Sequence, residues 1–365
     1  MHEEPSGVRI MAYTTIDDGS AYFHAQLFTG NDATDRAITN DANAGDFKPD
    51  LLWLKNRDSA STQMVFDSSR LTSSEATLSL RANATNAEAD KVDVFGGFET
   101  DGFTVDGSDS DTNSNGHKFV AWQWKANGGT TASNTAGDIT TTVQANTTAG
   151  FSIFTYTGTG TDGDTIGHGL GAVPNWIWIK ARSIANDQTI YHSANTSAPE
   201  TEFLAMQGTD ATSDSSTRWS DTAPTSTLIT LGNNAGVNGN TYTYVGYAFA
   251  EKQGYSKFGK YTGNNDADGT FVYTGFKPAW LMVKRSSAVQ GWLIWDSKRA
   301  SVNTASAPLT ANETSSEDTP DADLLSNGFK LRTADTSNNA VSTYIYMAFA
   351  ENPFVSSKGV PTTAR

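Results

Sequence analysis

Short apolar runs punctuated by Gly, Ser, Thr, Asn and Asp follow one another along the whole chain. No long segment keeps apolar residues at i, i+3, i+4 and i+7. The pattern predicts strands throughout and almost no helix. Its clearest instance lies between Phe276 and Arg299. There Ala279-Trp280-Leu281-Met282-Val283 runs into Lys284-Arg285, a polar loop follows, and Trp292-Leu293-Ile294-Trp295 closes on Asp296. This reads as a hairpin, and the chain writes it twice before. Leu51-Leu52-Trp53-Leu54-Lys55 leads to Met64-Val65-Phe66-Asp67, and Trp176-Ile177-Trp178-Ile179-Lys180 leads to Thr189-Ile190-Tyr191-His192.

Other landmarks keep the same order. An early strand ends in Thr29-Gly30, Thr157-Gly158 and Thr262-Gly263. An aromatic strand closes each copy, as Phe119 to Ala126, Tyr244 to Glu251 and Tyr344 to Glu351. Recurrence at near-constant spacing means triplication. Units of roughly 100 residues with six or seven strands suit two-layer antiparallel sandwiches, jelly-roll or lectin-like, with the aromatic strand central.

The expected organisation is an N-terminal arm over 1–20 (1–10 a flexible tail), repeats over 21–126, 151–254 and 255–354, and a tail over 355–365. Residues 127–150, rich in Gly, Thr, Asn and Ala, read as an extended linker. Each unit is expected to carry its own core, with the first looser than the other two.

Charge narrows the partners. With 25 basic against 40 acidic residues and a net charge of −15, the surface repels phosphate backbones and anionic membranes, and no Lys/Arg run offsets this. No nucleic acid and no membrane insertion are expected, since no apolar run approaches the roughly 18 residues of a span. The chain has no cysteine, which suits synthesis in a reducing cytosol, and its first residues lack the pattern of a secretory signal.

Candidate chemistry is sparse. Asp111, Asn113 and Asn115 fit the opening of a calcium loop, but the closing Glu is missing and Trp122 stands there. His168 lies in a Gly-rich turn, and His117 and His192 have no Ser/Asp constellation beside them. Lys55, Lys180 and Lys284, with Arg57, Arg182 and Arg285 nearby, recur in every copy. They are expected to hold the framework, for example by strand-end ion pairs with Asp67 or Asp296. Paired carboxylates for glycoside hydrolysis would have to sit in one copy only, so no catalytic residue is assigned. Trp219, Tyr191, Tyr242 and Tyr255 lie in or beside polar loops, where exposed rings could stack on sugars.

The motifs PNWIWIKAR (174–182), GHGLG (167–171), GYSKFGKYTGN (254–264), LSNGFKLR (325–332) and YIYMAFAENPF (344–354) resemble an uncharacterised repeat family of virion proteins in phages of marine bacteria, often tail-fibre-like. The likeness runs from about Met11 to Phe354 and marks no catalytic residue. It implies a virion protein made in the host cytoplasm, a tail fibre, spike or receptor-binding component that contacts other virion proteins and a host surface glycan. Fibre analogy implies a homo-oligomer, a trimer. The alternatives are a capsid decoration or head-fibre protein docking through a terminal arm, and a glycan depolymerase.

Overall fold

The computed structural model describes residues 13–41, 47–70, 77–300, 302–305, 307–318 and 321–362. The tail read over 1–10 and the end at Arg365 lie outside these. The architecture is all-β, with antiparallel sheets, none of them closed. In the first large sheet Phe23–Thr29, Lys118–Trp124, Leu51–Asn56, Met64–Asp67 and Leu78–Arg81 are neighbours in that order, extended by Ala89–Asp90. The second repeats the order with Phe151–Thr157, Thr243–Phe249, Trp176–Ala181, Gln188–His192 and Glu202–Ala205. The third does so with Ser256–Thr262, Thr343–Pro353, Phe276–Arg285, Trp292–Asp296 and Leu309–Thr310. The aromatic strand is internal each time, as its composition predicts.

Three small sheets accompany the large ones. They comprise Arg36–Thr39, Gly102–Val105 and Phe95–Glu99; Thr165–Gly167 with Leu228–Thr230; and Phe271–Tyr273, Gly328–Leu331 and Ala322–Leu325. Among the described residues the α-helix is a single turn, Ser216–Trp219. The 127–150 stretch differs from its reading as a linker. Ile139, Thr141 and Val143 are buried and alternate with the exposed Thr140 and Thr142, and Ala132–Asn134 and Thr141–Asn146 extend the second large sheet.

The inner strands are apolar without alternation because both of their faces are covered. One face of the first sheet packs Leu52, Leu54 and Phe66 on Phe95 and Phe103 of its small sheet. The second likewise packs Ile177 and Ile179 with Ile166 and Ile229. The opposite faces of all three large sheets meet in one common core. There Trp53 lies 5.5 Å from Trp178, Trp124 5.5 Å from Trp280, Trp176 5.6 Å from Trp292, and Phe249 5.5 Å from Phe349. This corrects the expectation of self-contained cores. The tryptophans of each hairpin pack on those of another sheet, so no sheet buries its aromatic face alone.

The register also shows which positions of the three large sheets correspond. Trp53, Trp178 and Met282 face Trp122, Tyr247 and Met347, whereas Trp280 stands with Leu51 and Trp176 one pleat away. All remain on the shared inward face.

Candidate functional site

The aromatic residues proposed as sugar platforms are largely enclosed. Trp219, Tyr191 and Tyr255 are 2, 4 and 1 % exposed. Trp219 Nε1 donates to Glu202 O at 3.0 Å, and its ring stands edge-on to Tyr191 at 5.9 Å. Tyr255 belongs to the common core, beside Phe349. Tyr242 is half-buried against the second sheet's core. Their polar neighbours in sequence suggested the surface, but Tyr191 lies within the inner strand Gln188–His192 and Trp219 ends the helical turn packed against it.

The calcium candidates do not converge. Asn113 is fully buried; its Oδ1 accepts from Arg36 Nη1 at 3.0 Å and from Asn31 N at 3.3 Å, and its Nδ2 donates to Ala33 O and Gly107 O. Asp111 Oδ1 accepts from Thr62 N at 2.7 Å, and burial raises its carboxyl pKa. Asn115 is exposed. Among the described residues no group of three His, Asp or Glu side chains is placed to hold a metal. Asn113 has counterparts instead. Asn238 Oδ1 accepts from Thr159 N at 2.9 Å and Asn339 Oδ1 from Asn264 N at 3.1 Å. Each pins the residue after a Thr-Gly pair. The glycine is needed because a Cβ at Gly30 or Gly263 would lie 2.1 Å from a carbonyl oxygen of the Asn loop. His117, His168 and His192 do not meet either; His168 is buried with Nδ1 accepting from Leu170 N.

The recurring lysines do something the sequence reading missed. Lys55, Lys180 and Lys284 sit at one register position and are at most 1 % exposed. Lys55 Nζ donates to Ser61 O in its own loop and to Thr314 O at 2.8 Å. Lys180 Nζ donates to Asn186 O and to Thr85 O at 2.7 Å. Lys284 Nζ donates to Arg285 O and to Thr209 O at 3.2 Å. The first sheet's lysine thus grips the third's loop, the second's grips the first's, and the third's grips the second's. The circuit closes.

The same three carbonyls also accept the backbone N–H of Ser61, Asn186 and Gln290. Gln63 Nε2, Gln188 Nε2 and Trp292 Nε1 reach Thr310 O, Arg81 O and Ala205 O beside them. Burial pulls each amine down to about 8. At neutral pH the ammonium persists, and the carbonyls satisfy its donors.

Two junctions add charge networks. Asp67 pairs with Arg70 at 2.6 Å, Arg70 with Glu88 at 2.7 Å, Glu88 with Arg182 at 2.9 Å, and Asp67 accepts from Tyr247 Oη. Asp296 pairs with Arg299 at 2.5 Å, Arg299 and Arg57 both reach Glu317, and Asp296 accepts from Trp122 Nε1. Against burial, Arg182 and Arg70 hold the Glu88 carboxyl below its ordinary value. At the third junction His192 replaces the aspartate, with Nε2 3.0 Å from Tyr346 O and Nδ1 accepting from Ala194 N. Burial pushes its pKa down to about 4. The expected Lys–Asp pairs are therefore replaced: arginines three residues further on hold Asp67 and Asp296.

A cleft of about 320 Å³ opens between the first and third sheets, lined by His24, Lys277, Ser297, Lys298 and Glu351. Lys298 pairs with Asp41 at 2.5 Å and Lys277 with Glu351 at 2.8 Å, so its charged groups are balanced, while Phe23, Ala25, Ala279 and Ala350 line the rest. His24 Nε2 lies 3.4 Å from Asp41 and 3.3 Å from Gln26 Oε1, and burial lowers its pKa. The cleft offers donors and acceptors to a small polar ligand.

Sheets that share a strand order, and junctions sealed by buried polar groups, define an all-β protein organised as one body. Residues 18–353 match the family described as Domain of unknown function (DUF7483), and the chain belongs to that family. The matched segment takes in all three large sheets. No curated protein and no solved structure matches the chain.

Proposed function

We propose that the chain is a non-enzymatic surface protein of a phage particle, a tail-fibre, spike or receptor-binding component that attaches by non-covalent contact. In this reading each large sheet and its small sheet form one β-sandwich module, and three homologous modules make a threefold hub within a single polypeptide. The observation that carries it is the division of labour between positions. Residues recurring in all copies, such as Lys55, Lys180 and Lys284 or Asn113, Asn238 and Asn339, are buried in junctions and loop frameworks, while outward positions differ from copy to copy. A rigid hub presenting different loops suits attachment by several weak contacts. In this reading, the threefold symmetry that fibre analogy assigns to an oligomer would be approximated inside one chain.

The capsid-decoration alternative draws on one contact. Ser357 N donates to Asp17 Oδ1 at 2.6 Å, so the segment around Asp17 and the segment around Ser357 would dock together at one pole. Gold-labelled antibody against this chain on intact particles tests both. Label at the tail supports attachment, label over the shell supports decoration, and unlabelled particles of the phage encoding it reject the virion reading.

A further inference from the structure

The outward positions of the small sheets diverge most in the third. The strands Arg36–Thr39, Thr165–Gly167 and Phe271–Tyr273 each bury a central apolar residue: Ile38, Ile166 and Val272. The residues flanking it, which alternate to the opposite face, are Ala37 and Thr39 in the first and Thr165 and Gly167 in the second. In the third they are Phe271 and Tyr273, 44 and 54 % exposed. Large rings have been placed on solvent at one of three equivalent edges, where burial gives no reason for them.

Their surroundings form a shaped surface. Tyr273 stands opposite Gly328, which in turn stands opposite Leu325, so a side-chain-free floor separates an aromatic ring from an aliphatic rim. In the adjacent row Phe271 is opposite Lys330, and Lys330 opposite Asp323. Lys330 pairs with Asp268 at 2.6 Å and Arg332 with Asp323 at 2.5 Å, giving two cations and two anions. Tyr13 Oη donates to Gly275 O at 2.9 Å, and contact with the Tyr273 hydroxyl helps burial push the Tyr13 pKa up to about 12. Tyr13 thus borders the face at the Tyr273 end.

We propose that this face of the third small sheet is a binding site for an uncharged glycan chain. Rings at alternate strand positions lie roughly 7 Å apart and accept the C–H faces of successive sugars. The neighbouring row supplies donors and acceptors together, which matches hydroxyls that are both, and its lack of net charge gives no hold on phosphate or sulfate. The site deepens the attachment reading and rests on it for its biological setting.

Affinity electrophoresis of the whole chain through gels containing dextran, laminarin or starch, with alginate as the anionic counterpart, tests the site. The expected result is retardation by at least one neutral polymer, weakened several-fold by Phe271→Ala or Tyr273→Ala and abolished by both, while Val289→Ala at another exposed position changes nothing. Thermal midpoints of the variants should match the wild type, because both rings are on the surface. Retardation by alginate alone, none by any neutral polymer, or undiminished retardation of the double variant would overturn the proposal. So would a dimer in sedimentation that the double variant loses, since a second copy would then cover the face. Particle labelling is independent of these outcomes, so failure of the site leaves the virion reading standing.

Discussion

The Asp67 carboxylate accepts a 2.6 Å hydrogen bond from the hydroxyl of Tyr247, joining the first sheet's hairpin to the central strand of the second. Both residues are fully buried, and Arg70 neutralises the carboxylate on its other side. Tyr247→Phe keeps the ring and removes one charge-assisted bond, so it should cost about 1.5–3 kcal/mol in urea unfolding. Arg70→Met strands Asp67 without a counter-ion and should cost more, about 3–5 kcal/mol. Equal, small effects from the two would mean that water reaches this pair.

Lys180 makes a second donation from the second sheet to the first across the same junction. Lys180→Met fills the space but leaves Thr85 O and Asn186 O without their ammonium donor, for an expected loss of about 1–3 kcal/mol. Lys118→Met, at a 63 % exposed side chain, should be near neutral. The pH dependence has a definite sign. The folded-state amine is held at about 8, below its ordinary 10.5, so the native state disfavours the charge. Stability from this group rises as pH climbs from about 8 towards 10.5. Between pH 8 and 9.5 the wild type should gain resistance to urea relative to Lys180→Met; parallel curves would contradict the assignment.

Much of this organisation could be read from the chain. Runs such as Trp176 to Lys180 announce strands covered on both faces, and the recurring Thr-Gly and aromatic landmarks give the strand order that each large sheet adopts. What could not be read is which surfaces meet. Hydrophobicity at Trp53 and Trp178 says that both rings are buried but not that each lies against the other, because burial alone names no partner. The enclosure of Trp219 and Tyr191 is hidden for a related reason, since polar neighbours in sequence do not reveal that the helical turn of Trp219 packs on the strand carrying Tyr191. The Arg70 and Arg299 roles had a usable signal, an arginine three residues after each hairpin aspartate, whereas the lysines showed only their recurrence and nothing of their partners. Their acceptors are main-chain carbonyls, and any residue supplies those.

His192 makes the junction between the second and third sheets respond to mild acid, above the range in which the Glu88 carboxylate protonates. Its Nε2–H donates to Tyr346 O while Nδ1 accepts from Ala194 N, a pairing only the neutral ring can make. Burial first, and Lys260 at longer range, depress its pKa from 6.5 to about 4. A depressed histidine contributes fully above pH 6.5, and its contribution is lost as pH falls from there through 4, about 3 kcal/mol in all. His192→Gln retains a donor to Tyr346 O and should flatten the urea midpoint over that window. His24 and His168 shift in the same direction and leave a residual slope. A variant with an unchanged slope would show that His192 does not set the acid limit.

The shared core makes a stronger prediction about folding units. If each sheet buried its own aromatic face, a chain cut after residue 254 would keep two folded units and lose only the third. Instead Trp124 packs on Trp280, Trp176 on Trp292, and Lys55 reaches Thr314, so removing 255–365 exposes rings and strands carbonyl-bonded groups in both remaining sheets. Exposing even a few such tryptophans forfeits several kcal/mol, comparable to the whole stability of an ordinary domain. The full chain should therefore unfold in urea as one transition, with tryptophan fluorescence and far-ultraviolet dichroism superimposing. The chain ending at 254 should aggregate or bind a hydrophobic dye. Two separated transitions in the full chain, or a soluble 1–254 fragment with native-like fluorescence, would mean that the sheets are stable apart and the circuit is ornamental.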